Sequence, residues 1–305
     1  MKVLVATEKP FAKIAVDGIR KEIEGAGHEL VLLEKYTDVA QLLDAVKDAD
    51  AMIVRSDKVT PTVLDAAEKL KIVVRAGAGY DSIDTAYAKE KGVVVENTPG
   101  QNSNAVAELV FGMLVYAVRN FYNGKAGTEL KGKKLGILAF GNVGRNVARI
   151  ATGFGMDVYA YDAFCPKEAI EEAGVHVAAS QEELFKNCDI VSLHIPATPE
   201  TKQSINYELV NSMKKGGIVV NTARKEVINE PELLKLMAER EDIKYITDIK
   251  PDADEDFAKF EGRYFSTPKK MGAQTAEANI NAGIAAAKQI NAYFADGCTK
   301  YQVNK

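Results

Sequence analysis

Short unbroken apolar runs alternate along the chain with polar stretches in which apolar residues recur at helical spacing. KVLVAT (2–7) is the first run. A compact run without alternation predicts a strand buried on both faces, as in a parallel sheet. In residues 11–27, Phe11, Ile14, Ala15, Ile19 and Ile23 fall at helical spacing, and the pattern stops at Gly25 and Gly27. ELVLLE, AMIVR and KIVVR predict three further strands. QLLDAVKD and TPTVLDAAEKL between them read as helices, the second with Thr60 as cap and Pro61 at its first position. GVVVENTPG (92–100) ends the section at a Pro-Gly turn. This βαβ series is long enough for one domain.

Residues 101–124 predict a long, mostly apolar helix opened by Asn102 and Ser103. A second series follows in KKLGILAF, DVYAY, DIVSLHI, GGIVVNTA and IKYITDI. The acidic stretch 252–262 reads as a solvated loop or short helix, and AEANINAGIAAAKQINAYFADG as a last helix ending at Gly297. Two series joined by a long helix predict an α/β chain of two domains with a cleft between them.

The 305 residues suit two domains better than one core. Lys plus Arg number 39 and Asp plus Glu 43. With no basic excess, neither nucleic acid nor an anionic membrane is expected as a partner. Cys165, Cys188 and Cys298 form no metal or disulfide pattern, so no metal is expected and a reducing, cytoplasmic setting is. No apolar stretch is long enough to span a bilayer.

KKLGILAF runs into Gly141-Asn142-Val143-Gly144-Arg145 and then a helix, the context a dinucleotide fingerprint requires. Gly141 allows a pyrophosphate close to the backbone, Gly144 allows close packing of helix on strand, and the helix N-terminus supplies N–H groups. Ala139 stands where the first glycine usually is. Asp162, ending the next strand, lies where a carboxylate would bind ribose hydroxyls, and Ala163 and Phe164 follow without an arginine for a 2′-phosphate. NAD is therefore expected rather than NADP.

With LGILAFGNVGR, Asp162, SLHIPATPETK, VVNTAR (219–224) and MGAQTAEA (271–278), the chain resembles the D-isomer-specific 2-hydroxyacid dehydrogenases over essentially its whole length. RSDKVT (55–60), RAGAGYD (75–81) and GTELKGK (127–133) resemble the branch acting on a phosphorylated substrate. The resemblance implies two doubly wound, Rossmann-like domains. A flavodoxin-like substrate domain would comprise 1–98 and 276–305, and an NAD-binding Rossmann domain 99–275. It also implies a homodimer around the nucleotide domain, which agrees with an apolar surface on more than one face of Val106–Val118.

In that family one arginine bridges substrate carboxylate and reacting oxygen, and Arg224 matches it; a guanidinium does this bidentately without losing its charge. The family proton carrier is a histidine before a hydrophobic residue and Gly-Ala. Here the segment reads Pro268-Lys269-Lys270-Met271-Gly272-Ala273. Counting back from Gly272 puts Lys270 at that position, the first choice; counting forward from Pro268 puts Lys269 there. The resemblance places Thr222, Ala223, His194 and Asp248 on the cofactor side. Asp252 and Asp254 flank the point where the family acid would fall, and neither is assigned. Lys225-Glu226 replaces the usual Gly-Gly. His28 and His176 read as structural or exposed. For a phosphorylated substrate, Arg55, Lys58 and Arg75 near strand ends would supply charge, and Gly77 and Gly79 backbone N–H groups. The activity implied is NAD-dependent oxidation of a phosphorylated 2-hydroxy acid. Reduction of another 2-keto acid, such as glyoxylate or hydroxypyruvate, and a sensor that only binds NAD(H) are the alternatives.

Overall fold

A computed structural model of the chain describes residues 1–305. It forms two compact units, residues 1–102 with 274–305 and residues 103–273. The sequence-derived division at 98/99 and 275/276 differs from this by a few residues at each crossing.

The first unit alternates β1 (Lys2–Thr7), α1 (Lys13–Gly25), β2 (Glu29–Glu34), α2 (Val39–Val46), β3 (Ala51–Val54), α3 (Pro61–Ala66), β4 (Ile72–Arg75), α4 (Thr85–Glu90) and β5 (Val94–Asn97). The strands form one sheet in the order β2-β1-β3-β4-β5, every pair parallel. This is the flavodoxin-like order, reversing direction at β1 and β3. Ala6, Leu33, Val54, Arg75 and Asn97 share one register row at the carboxyl ends. Thr60 is extended before α3 but makes no capping hydrogen bond, so Pro61 alone marks that start.

The second unit opens with α5 (Ser103–Val118) and continues with β6 (Lys134–Leu138), α6 (Asn142–Gly153), β7 (Asp157–Tyr161), α7 (Lys167–Glu171), β8 (His176–Val177), α8 (Gln181–Asn187), β9 (Ile190–Leu193), α9 (Tyr207–Asn211), β10 (Ile218–Asn221), α10 (Glu230–Glu239), β11 (Lys244–Thr247), α11 (Asp254–Phe257) and β12 (Tyr264–Ser266). Its seven strands run parallel in the order β12-β11-β10-β9-β6-β7-β8. The helix expected over 101–124 stops at Val118. Lys244 Nζ donates to the Ala117 carbonyl at 2.9 Å, and Asn120, Phe121 and Tyr122 then take left-handed φ values of 51°, 53° and 55°. The acidic stretch does contain a short helix, α11, anchored by buried Phe257. The short strand β12 was not anticipated.

The chain returns to the first unit in α12 (Ala276–Asp296), capped by the Thr275 hydroxyl and ended by Gly297 at φ 72°. Ala282, Ala286, Ala287 and Ile290 pack with Ile19 and Ile23 of α1 over Val3 and Val5, while Leu4 and Ala6 face the opposite core. Covering both sheet faces explains why β1 reads as a continuous apolar run. Ile14, expected in this core, is 64% exposed. The buried stripe runs Ala15, Ile19, Ile23, and Ile14 lies about 100° around the helix from it.

Candidate functional site

In the second unit Tyr161, Leu138, Leu193, Asn221, Thr247 and Ser266 lie on one register row, across β7, β6, β9, β10, β11 and β12. The residues just beyond this row are Asp162, Ala139, His194, Thr222, Asp248 and Thr267. Every candidate cofactor group from sequence therefore sits at or shortly beyond the carboxyl ends of parallel strands. The order reverses between β6 and β9, which is where open α/β sheets bind ligands.

After β6, Ala139 adopts φ 78°. Glycine takes such a conformation freely, whereas an L side chain is strained there. A Cβ on Gly144 would lie 2.3 Å from the Ala139 carbonyl oxygen, so only glycine lets α6 pack this close. Around Gly141 a Cβ would meet nothing within 4 Å, and no side chain caps α6. The helix end thus presents its N–H groups and positive dipole to open space.

Asp162 accepts from Phe140 N–H (2.7 Å), Phe164 N–H (2.8 Å) and Cys165 N–H (2.9 Å). Desolvation alone would raise its pKa. Those three bonds and nearby Arg145 outweigh it and hold the carboxyl below its ordinary value. Phe164 is 94% exposed beside it.

The turn after β10 is organised by Asn221, which is fully buried. Its side chain accepts from Ala223 N–H at 3.0 Å and donates to the Arg224 carbonyl at 2.9 Å. Arg224 emerges in extended conformation, with Nη1 donating to the Ala223 carbonyl. Buried Thr222 leaves its Oγ1 without a partner in the protein. The structural part played by Asn221 was missed from sequence. The available signal was a lone amide closing the apolar run Ile218–Val220.

Asp248 is 1% exposed and holds the loop that carries both candidate lysines. Oδ1 accepts from Met271 N–H (2.7 Å) and Thr267 Oγ1 (2.8 Å), and Oδ2 from Gly272 N–H (2.7 Å). A Cβ on Gly272 would lie 2.9 Å from Oδ2. Three acceptor positions of this carboxylate therefore serve its own loop, leaving one for a ligand. Lys269 and Lys270 are both exposed on that loop. Asp252 pairs with Lys225 at 2.5 Å, and Asp254 accepts from Tyr264 (2.6 Å) and Lys250 (3.0 Å). These are local surface ties.

His194 retains some solvent contact, yet desolvation pulls its pKa down to about 3, so the ring is neutral. Its Nε2 lies 2.9 Å from Ser192 Oγ. His28 stacks edge-on against Phe294, and His176 pairs with Asp157 at 3.1 Å.

In the first unit, Asp57 accepts from Glu8 N–H, Arg55 N–H and the Tyr36 hydroxyl, fixing the loops after β1 and β3. Arg55 donates from Nη1 to the Lys9 and Pro10 carbonyls and from Nη2 to Asn279 Oδ1, and it lies over the Phe11 ring. Only Nε–H and one Nη2–H remain for an anion. Arg75 Nε donates to the Arg55 carbonyl, and its Nη1 would lie 1.5 Å from a Cβ on Gly77. Gly77, at φ 149°, exists to make room for that guanidinium. Its N–H already donates to the Arg75 carbonyl at 2.8 Å, which corrects the expectation that it would offer this group to a substrate. Gly79 is partly exposed, and Lys58 is exposed with no polar partner.

The uncapped helix end, the open space at Gly141 and the orphaned Thr222 hydroxyl fit a dinucleotide laid across the ends of β6 to β10. Fold and site together define a dinucleotide-binding α/β protein. Residues 113–261 match the D-isomer specific 2-hydroxyacid dehydrogenase, NAD binding domain, family. The D-3-phosphoglycerate dehydrogenase of Methanocaldococcus jannaschii is 39% identical over 267 residues, covering 82% of this chain and 51% of that protein. This chain thus spans about half the length of that relative. The hydroxypyruvate reductase of Thermotoga maritima is 37% identical over 284 residues, 86% of this chain and 90% of that protein. The solved NAD+-bound 3-phosphoglycerate dehydrogenase of Entamoeba histolytica is 50% identical with a TM-score of 0.89, over 100% of this chain and 99% of that one. The chain belongs to the D-isomer-specific 2-hydroxyacid dehydrogenase family, and its second unit is an NAD-binding domain. No helix is long and apolar enough to cross a membrane.

Proposed function

We propose that the protein oxidises 3-phospho-D-glycerate to 3-phosphohydroxypyruvate, a reaction of serine biosynthesis, with NAD as acceptor. The observation that carries this reading is the row of strand ends that brings Gly141, Asp162, Thr222, Arg224 and the Lys269–Lys270 loop to one edge of a parallel sheet. Similarity to named phosphoglycerate dehydrogenases supports the substrate. NAD, when bound, accepts the hydride from C2 of the hydroxy acid. The N–H groups at Gly141–Gly144 hold its pyrophosphate and Asp162 its ribose. Thr222, Ala223, His194 and the remaining acceptor of Asp248 meet the nicotinamide end. Arg224 binds the substrate carboxylate and C2 oxygen, and Lys270, or Lys269, takes the hydroxyl proton. Residues 1–102 with 274–305 act as the substrate domain, with Arg55, Lys58, Arg75 and Gly79 toward phosphate and carboxylate.

Steady-state rates with NADH and phosphohydroxypyruvate, hydroxypyruvate or glyoxylate test this. Highest kcat/KM with phosphohydroxypyruvate is the expected result. Preference for hydroxypyruvate, favoured by the similarity to a hydroxypyruvate reductase, would move the assignment within the family. NADH binding without turnover would leave the sensor reading.

We also propose a homodimer through α5, where Ala105, Leu109, Gly112 and Tyr116 form a stripe with residual exposure at helical spacing. Sedimentation at micromolar concentration should give twice the chain mass.

A further inference from the structure

In the first unit the Arg55 guanidinium is clasped by three segments. Nη1 donates to the Lys9 and Pro10 carbonyls, each at 2.9 Å, in the loop between β1 and α1. Nη2 donates to Asn279 Oδ1 at 2.7 Å, on the first turn of α12. Cζ lies 5.0 Å from the centroid of the Phe11 ring. That ring is in turn seated on α12, because a Cβ on Gly283 would lie 3.2 Å from it. Gly283 is one turn beyond Asn279, so one face of α12 supports both the ring and the guanidinium.

All three acceptors are neutral oxygens. Asp57, two residues on, accepts from the backbone N–H of Arg55 and not from its guanidinium, and its other bonds go to Glu8 N–H and the Tyr36 hydroxyl. The side chain of Arg55 is therefore oriented but not neutralised. Burial pulls its pKa down, with Asp57 opposing, as for a desolvated cation that lacks a direct counter-ion. A half-buried guanidinium in this state attracts an oxyanion strongly. The orientation of the Asn279 amide follows from its partners. Nδ2 donates to the Thr275 carbonyl at 2.7 Å, which can only accept, and Arg55 can only donate, so Oδ1 faces the guanidinium. An aspartate at this position would still hold Arg55, but it would cancel the charge.

We propose that Asn279 is a positioning residue that sets substrate specificity: it fixes the Arg55 guanidinium through a neutral oxygen and so keeps the positive charge available to the substrate phosphate. It does so on the reading that Arg55 faces that phosphate in the proposed reaction. The test measures kcat and KM of the full chain with NADH and either phosphohydroxypyruvate or hydroxypyruvate. The native enzyme should have the higher kcat/KM with the phosphorylated substrate. Asn279→Ala, which releases the guanidinium, should raise KM for phosphohydroxypyruvate by about fivefold. Asn279→Asp, which pairs with it, should raise that KM by on the order of tenfold or more. Both changes should sit in KM and lower the preference for the phosphorylated substrate. A merely structural anchor would give the opposite order, because aspartate keeps the acceptor that alanine removes. In an Arg55→Ala background, Asn279→Ala should raise that KM no further, since it acts through Arg55. A native preference that survives Asn279→Asp, a larger effect of alanine than of aspartate, or an undiminished effect of Asn279→Ala without Arg55 would each overturn the proposal and leave the phosphate reading standing. A native enzyme without preference for the phosphorylated substrate would overturn both. Circular dichroism verifies that each variant is folded, and Asn279→Ala with the double variant decides the matter if Asn279→Asp is not.

Discussion

Asp248 Oδ2 accepts the Gly272 N–H at 2.7 Å, and the same glycine has no room for a side chain on that side. The buried carboxylate therefore sets the height of the loop bearing Lys269 and Lys270. Gly272→Ala should destabilise the protein by about 1–3 kcal/mol, because its Cβ meets both Oδ2 and Val106. Asp248→Asn turns one acceptor into a donor facing an N–H group and should cost about as much. Urea denaturation measures both. Unchanged midpoints would show that the loop is held by other means.

Ala139 offers the opposite case. At φ 78° an alanine pays roughly 1–2 kcal/mol, while a glycine there pays about 0.5–1 kcal/mol in extra unfolded-state entropy. Ala139→Gly should stabilise the second unit by several tenths of a kcal/mol up to about 1 kcal/mol. A lower urea midpoint would contradict the strain.

Asp162 should make NAD preferred over NADP, because its charge repels a 2′-phosphate. Its pKa is depressed, so the charge is present above the ordinary carboxylate range and is lost only as pH falls through the lower folded value. From pH 5 to 9 Asp162 therefore adds no pH dependence of its own to the ratio of kcat/KM for the two cofactors, and the preference for NAD should grow as pH rises through about 6, where the 2′-phosphate of NADP gains its second charge. Asp162→Ala should narrow it by on the order of tenfold. Equal efficiency of both cofactors with the native enzyme would refute the assignment.

His194 gives a pH-dependent stability of known sign. Its folded pKa of about 3 lies below the unfolded value near ~6.5. Between these values the unfolded chain binds the extra proton, so stability rises with pH and is lost on acidification. From pH 7.5 to 5 this group should cost at most about 2 kcal/mol, less in proportion to the ring's residual solvent contact. His194→Gln should lose less stability over that interval than the native protein. Parallel losses would show that the ring is solvated enough to titrate normally.

Much of this was legible in the sequence because the strands are buried on both faces and read as unbroken apolar runs. The Gly141–Gly144 turn was legible for a related reason, since glycine spacing reports close backbone approaches directly. The commitments of individual donors were not. Nothing in a sequence says that Arg55 is tied to Lys9, Pro10 and Asn279, because those bonds join residues far apart in the chain, and the Gly77 N–H is committed to the Arg75 carbonyl only through a local turn that residue types alone do not specify. Ile14 failed for a narrower reason: an amphipathic stripe has an edge, and spacing alone does not say on which side of it a residue falls.

The two basic groups should separate kinetically. Arg224→Ala should lower kcat/KM for every substrate by orders of magnitude, whereas Lys58→Ala should mainly raise KM for the phosphorylated one. Alanine at the proton-carrying lysine should remove most turnover and spare NADH binding. In the native enzyme, oxidation should keep accelerating to higher pH than a histidine near ~6.5 would require. Near-full kcat in both Lys269→Ala and Lys270→Ala would transfer the proton to water or a nearby aspartate.

The common row at the carboxyl ends of β7, β6, β9, β10, β11 and β12 has an evolutionary consequence. Each strand end delivers its group through a separate connection, so one segment can be rewritten while the sheet stays in register. Ala139 where the dinucleotide fingerprint has glycine, Lys225-Glu226 after Arg224, and the lysine pair Lys269–Lys270 sit on three such separate connections, after β6, β10 and β12. The scaffold behaves as a rack of independent slots, open to piecemeal changes of chemistry that a site built from one continuous loop would not survive.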